Sequence, residues 1–116
     1  TDTHLVYARR DETAWYTETV VPGDGGYNVS LALDAENHPH ISYRRQHLGE
    51  DGVHYSSWDG SAWNIETVIA VDNDYVYSAM LGLDSIGNPT IVFDKDPAGN
   101  YPACNNQFFS LRGPSS

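Results

Sequence analysis

An all-β fold, made from a sheet-forming unit that occurs about twice, follows from three observations. Short apolar runs are bounded by turn clusters. No stretch of ten or more residues carries the 3.6-residue apolar spacing of an amphipathic helix. One phrase recurs along the chain: Tyr27-Asn28-Val29-Ser30-Leu31-Ala32-Leu33-Asp34 lies over Tyr77-Ser78-Ala79-Met80-Leu81-Gly82-Leu83-Asp84. Without a gap, Pro39-His40-Ile41-Ser42-Tyr43 then lies over Pro89-Thr90-Ile91-Val92-Phe93. A second pairing interlocks with the first. It sets Tyr7 on Tyr55, Asp11 on Asp59, Ala14-Trp15 on Ala62-Trp63, and Glu18-Thr19-Val20 on Glu66-Thr67-Val68. A repeat of this length marks an architecture of stacked units.

Each element has its own reason. Tyr7 and Trp15 flank the first copy of a strand pair, turned at Asp11. Leu31-Ala32-Leu33 is a short apolar run stopped by Asp34 and the turn Ala35-Glu36-Asn37-His38, which predicts a strand buried on both faces. Pro39 opens the next strand, where a missing N–H costs least, and Ile41 and Tyr43 share one of its faces. Val53 to Trp58 is a third strand, and Asp59-Gly60 is a strong hairpin signal. Trp63, Ile65, Thr67 and Ile69 follow at period two, which predicts that they lie on one side of a fourth strand. With the strands lettered a to d, the chain reads c-d, a-b-c-d, a-b over residues 1–96. Residues 97–116 read as a loop, Asp96 to Pro102 at its start, and a tail with an extra strand over 107–112 and a frayed end at Gly113-Pro114-Ser115-Ser116.

The formal charge of −10 arises from 16 acidic against 6 basic residues, with Lys95 the lone lysine. No basic face is available to neutralise phosphate, so the reading excludes a nucleic-acid partner and an anionic membrane surface. An acidic excess of this kind favours solubility and fits an extracellular or secreted setting. Cys104 is the single cysteine, which rules out an internal disulfide and a thiolate zinc site. No apolar run approaches the length of a transmembrane helix, and no signal peptide is visible.

Four short strands per unit of nearly fifty residues is the layout of a β-propeller blade. Leu31-Ala32-Leu33-Asp34, Pro39 to Tyr43, and Tyr55 to Trp63 together resemble blade repeats of bacterial secreted propellers. The resemblance covers about residues 3–95 and implies antiparallel four-stranded blades, about two per chain. Ser57-Trp58-Asp59-Gly60-Ser61-Ala62-Trp63 is similar to the Asp-box hairpin of sialidase-like propellers, one residue short between serine and tryptophan. In that family the box is structural. Trp58-Asp59-Gly60 and Trp63 also resemble a hairpin of small fucose-binding lectins, in which two-bladed chains assemble as trimers into a six-bladed ring. Tyr55 stands where those lectins place a sugar-binding glutamate; in the other copy Tyr7 does, and Arg10 replaces the tryptophan.

Blades bury their faces against other blades, so two of them need company. The permuted strand order suits a homo-oligomer in which the c-d of one copy completes the a-b of the next, a trimer giving six blades; a compact monomer, a dimer or a piece of a longer propeller stays open. The extra strand over 107–112 does not fit that scheme.

Candidate ligand-binding residues are Trp58, Tyr55, Arg44 and Arg45. Trp58 has no counterpart in the other copy and sits beside a turn, where an exposed ring is a platform for a sugar. The arginine forks suit hydroxyl-rich or carboxylate ligands, or pair with the many acidic groups. Trp15, Trp63, Tyr7, Asp11, Asp59, Asp34, Asp84, Pro39 and Pro89 recur and read as structural positions, the tryptophans as packing residues first. His38, His40, His47 and His54 match no zinc spacing, and Asp72-Asn73-Asp74 and Asp94-Lys95-Asp96 lack the full ligand series of a calcium loop, so no metal and no cofactor is expected. No phosphate loop, nucleophile elbow or paired zinc histidines occur. The reading is a non-enzymatic binding module with a carbohydrate ligand; a structural segment of a larger secreted protein and a glycosidase-like propeller are the alternatives.

Overall fold

The computed structural model describes residues 4–22, 26–45, 52–70, 75–96 and 107–112. Among these residues all regular structure is strand: β1 (Leu5–Arg10), β2 (Trp15–Val21), β3 (Tyr27–Leu33), β4 (Pro39–Arg45), β5 (Gly52–Trp58), β6 (Trp63–Ala70), β7 (Tyr75–Leu83), β8 (Pro89–Asp96) and β9 (Gln107–Arg112). They form three antiparallel sheets in the orders β1-β2, β3-β4-β5-β6 and β7-β8-β9, which do not close into a ring. The four-stranded sheet is a complete a-b-c-d unit in chain order. The strand over 107–112 pairs with β8 and so takes the c position of the third sheet. Asp96, expected to begin the loop, is the last residue of β8, and 97–106, Cys104 included, lie outside the described residues, as do 46–51, 71–74 and 113–116, with His47 and Asp72-Asn73-Asp74.

Repeated aspartates build the turns. Asp11 Oδ1 accepts the backbone N–H groups of Thr13 and Ala14 at 2.8 and 2.9 Å, and Asp59 Oδ1 accepts those of Ser61 and Ala62 at 2.8 and 2.9 Å. Asp34 and Asp84 do the same in the other turns, accepting from Glu36 and His38, and from Ile86 and Asn88. A short side-chain acceptor that mimics a turn is the reason Asp suits these places. At the bend after Asp34, Asn37 has φ 63°, and its counterpart Gly87 has φ 91°; both residue types enter the left-handed region at low cost.

The four-stranded sheet is packed on both sides. Ile41 and Tyr43 of β4 meet Leu5, Val20 and Val21 of β1-β2 in one buried cluster. Val53 and Tyr55 of β5 meet Val76, Ala79, Ile91 and Phe93 of β7-β8 in another. Alternation along β4 and β5 makes this possible: every residue from Pro39 to Tyr43 and from Gly52 to Ser56 is buried. Cross-strand pairs of polar groups fill the remaining inner positions. Tyr43 bonds to Ser56 Oγ at 3.1 Å and stacks on His54 with ring centres 5.7 Å apart.

Two expectations are corrected. β3 is not buried on both faces: Leu31 and Leu33 are 53% and 51% exposed, because β1-β2 covers β4 and stops short of β3. The strands buried on both faces are β4 and β5. Ile69 does not share a side with Trp63. The register of β5-β6 shifts between Val53 and His54, and this bulge turns Ile69 toward the Val53 cluster while Trp63 packs on the Tyr43 cluster.

Candidate functional site

A cleft of about 240 Å³ opens where the β1-β2 sheet meets the four-stranded sheet, lined by Tyr7, Arg9, Glu18, Asn37, His38, Pro39, Trp58 and Trp63. Four elements supply it. Tyr7 and Arg9 are two apart on β1 and so face the same way, and Glu18 lies opposite Tyr7 on β2. The β3-β4 turn brings Asn37, His38 and Pro39. The β5-β6 hairpin brings Trp58 and Trp63, paired directly across its mouth.

The aromatic rings are arranged around Trp63. Tyr7 meets it edge-on with ring centres 5.7 Å apart and an interplanar angle of 69°. Trp58 lies against it at 5.6 Å and 59°. The Trp63 indole Nε1–H donates to Glu18 Oε1 at 2.8 Å, which ties the two sheets together. Arg9 is held over the ring of Tyr16, its guanidinium carbon 4.7 Å from the ring centre. Below the rings, Asp59 anchors the hairpin that carries both tryptophans, accepting from Asn64 Nδ2 at 3.0 Å as well as from the turn amides. These hydrogen bonds lower its pKa to about 2, the Asn64 bond contributing most.

Of the four residues expected to bind ligand, Trp58 lines the cleft. It is half-buried rather than open, since one side rests on Trp63. Tyr55 lies inside the second core cluster, its hydroxyl 2.6 Å from His40 Nδ1. Arg44 and Arg45 are half-buried at the far end of β4. Arg44 is five residues from Pro39, roughly 17 Å at ~3.4 Å per residue. Trp15, expected to pack as Trp63 does, is 66% exposed; among the described residues no sheet covers that side of β2.

Sequence reasoning did not single out Arg9, Glu18, Asn37 and His38 as ligand-facing, and it gave Tyr7, Pro39 and Trp63 structural roles only. A signal was present for two of them. Glu18 matches Glu66 in the repeat, and Arg9 follows Tyr7 at the strand period.

A second polar constellation lies on the other face of the sheet. Asp34 Oδ2 is 2.9 Å from His40 Nε2, and His40 Nδ1 is 2.6 Å from the Tyr55 hydroxyl. The His40 bond is the main cause holding the Asp34 carboxyl below its usual range. An ionised carboxylate only accepts, so Nε2–H donates to Asp34, and Nδ1 accepts the Tyr55 proton in the neutral tautomer. Burial pushes the Tyr55 phenol up. The chain of bonds therefore fastens the β3-β4 turn to β5 and offers no activated nucleophile. Beside it, Ser42 Oγ is buried with no protein partner.

Among the described residues, no group of three or more His, Cys, Asp or Glu side chains converges as a metal ion requires, and no helix is long and apolar enough to cross a membrane. Compared with protein-family models, curated proteins and solved structures, the chain matches none of them.

Proposed function

We propose that the chain is a non-enzymatic binding module built from β-propeller-type blades, and that the cleft between β1-β2 and β4-β6 takes a carbohydrate. The observation that carries this reading is the company kept by Trp58 and Trp63. Apolar ring faces stack on the C–H side of a sugar, while Arg9, Glu18, Asn37 and His38 offer donors and acceptors for hydroxyl groups around the same opening. The volume falls below the ~300–1,000 Å³ of clefts that enclose drug-sized ligands, which favours one sugar ring over a long oligosaccharide.

A glycosidase reading draws less support from the same cleft. Hydrolysis needs a pair of carboxyl groups about 5–9.5 Å apart, and the lining residues include one, Glu18, already bonded to Trp63. Titration of the chain against a panel of monosaccharides and short glycans tests the proposal. The expected result is saturable binding that Trp58→Ala weakens at least tenfold, while Trp15→Ala leaves it unchanged. No binding across the panel, or equal binding by the two variants, overturns it. Turnover of a glycoside, lost in Glu18→Gln, would instead establish the enzyme reading.

A further inference from the structure

The apolar face of β3 ends abruptly. Leu31 lies directly across from Ile41, and both point toward the β1-β2 side. Ile41 is buried in the cluster shared with β1-β2, whereas Val29, Leu31 and Leu33 lie about half exposed, each at 50–53%. This surface continues an existing interface past the point where the covering sheet stops.

The repeat says what the missing cover looks like. Among the described residues, β1 and β2 form a two-stranded c-d sheet, whereas the c-d pair of the four-stranded sheet has an a-b pair beside it. β7 and β8 are an a-b pair, and their outward face exposes two apolar side chains: Met80 is 70% exposed and Val92, its cross-strand partner, 44%. The inward face of the same hairpin shows how the contact works. There, Ala79 and Leu81 pack against the four-stranded sheet, and Leu81 N–H donates to Ser30 Oγ of β3 at 3.2 Å. Val29, Leu31 and Leu33 occupy the repeat positions of Ala79, Leu81 and Leu83.

We propose that the exposed face of β3 and the free edge of β1 receive the β7-β8 hairpin of a second copy of this chain, with β9 holding in the single chain the edge of β8 that β1 takes in the assembly. The hairpin keeps its inward face on its own four-stranded sheet, so only β9 has to leave. The resulting sheet runs β7-β8 of one copy, then β1-β2 of the other. It carries Met80 and Val92 onto Val29, Leu31 and Leu33. By the repeat, Trp15 then meets Glu66 of the second copy as Trp63 meets Glu18 within one chain. The contact is heterologous and closes when the rotation returns to the first copy.

This assembly is independent of the sugar reading, because the Trp58–Trp63 cleft is built within one chain. The solution mass of the full chain, measured against concentration, tests it together with three variants. Leu31→Asp places a charge in the contact and is expected to give single chains. Phe109→Pro combined with Ser110→Pro weakens β9, because neighbouring residues aim their N–H groups in opposite directions and one of the two prolines must remove a ladder donor; it is expected to shift assembly to at least tenfold lower concentration. Ile86→Asp, at an exposed turn outside the contact, is expected to leave the mass of the full chain unchanged. The proposal is overturned by single chains at every concentration in both the full chain and the double proline variant, or by an assembly that survives Leu31→Asp. An assembly that weakens when β9 is broken overturns the role given to β9. Glycan binding retained by single-chain Leu31→Asp separates the fate of this contact from that of the cleft.

Discussion

Leu31 and Leu81 occupy the same place in the repeat and have different surroundings. Leu81 is half-buried against Ser30 and the Val53 cluster; Leu31, one unit earlier, faces open solvent beyond the edge of β1-β2. Trp63 and Trp15 show the same split in the c-d pair. One is covered by Tyr7 and bonded to Glu18, and the other is largely bare. The aromatics Tyr43 and Phe93 do not split, since each has a sheet against it. A residue's place in the unit fixes which way it points, and the adjoining sheet decides whether it is buried. Stability in such molecules is therefore carried largely by contacts between neighbouring units.

Core substitutions give the largest expected effects and test the shared part of the comparison. Tyr43→Ala and Phe93→Ala are each expected to destabilise by about 3–5 kcal/mol, since both side chains are fully enclosed. Urea unfolding checks this, and a large inequality between the two would mean that one sheet interface is not formed in solution. Gly52→Ala is expected to cost about 3 kcal/mol as well, because Gly52 has φ 149° and an added Cβ would strike the Ile69 carbonyl oxygen.

Next come the split pairs. Leu81→Ala is expected to cost about 1–3 kcal/mol, in proportion to its partial burial, and Leu31→Ala less than about 0.5 kcal/mol in the single chain. Similar values for the two would break the comparison.

The smallest effect is on pH dependence, where the two c-d hairpins agree. Asp11 and Asp59 are both lowered from 3.8 to about 2, Asp11 chiefly by the Thr13 amide and Asp59 chiefly by Asn64. A depressed folded value means that the stabilisation is complete above the unfolded pKa and disappears as pH falls from about 4 toward 2. Asp34 acts in the same direction through His40. Thermal unfolding in that window should lose part of its pH dependence in Asp59→Asn and in Asp11→Asn alike.

The all-β character, the antiparallel pairing of successive strands and the aspartate turns were legible because alternation, turn chemistry and repetition are local properties written in consecutive residues. The far tail strand at 107–112 was legible for the same reason. Three things were not. The bulge that turns Ile69 away from Trp63 depends on the register of β5 against β6. The exposure of Leu31 and Trp15 depends on which sheets the chain supplies. The cleft joins Arg9 and Glu18 to Trp58 and Trp63 across forty or more residues, and no pattern within a single unit announces that meeting. Tyr55, Arg44 and Arg45 were legible as residue types suited to ligands, but chemistry alone does not say which end or face of a strand they occupy.

The central claim is that a neighbouring sheet, and not the unit itself, encloses each repeated residue. The hydrogen-exchange rates of the indole N–H groups of Trp63 and Trp15, compared by NMR in dilute single-chain Leu31→Asp, test it most directly. Slow exchange at Trp63, fast exchange at Trp15, and loss of the difference in Glu18→Ala are the results expected. Equal rates at the two tryptophans would contradict the account.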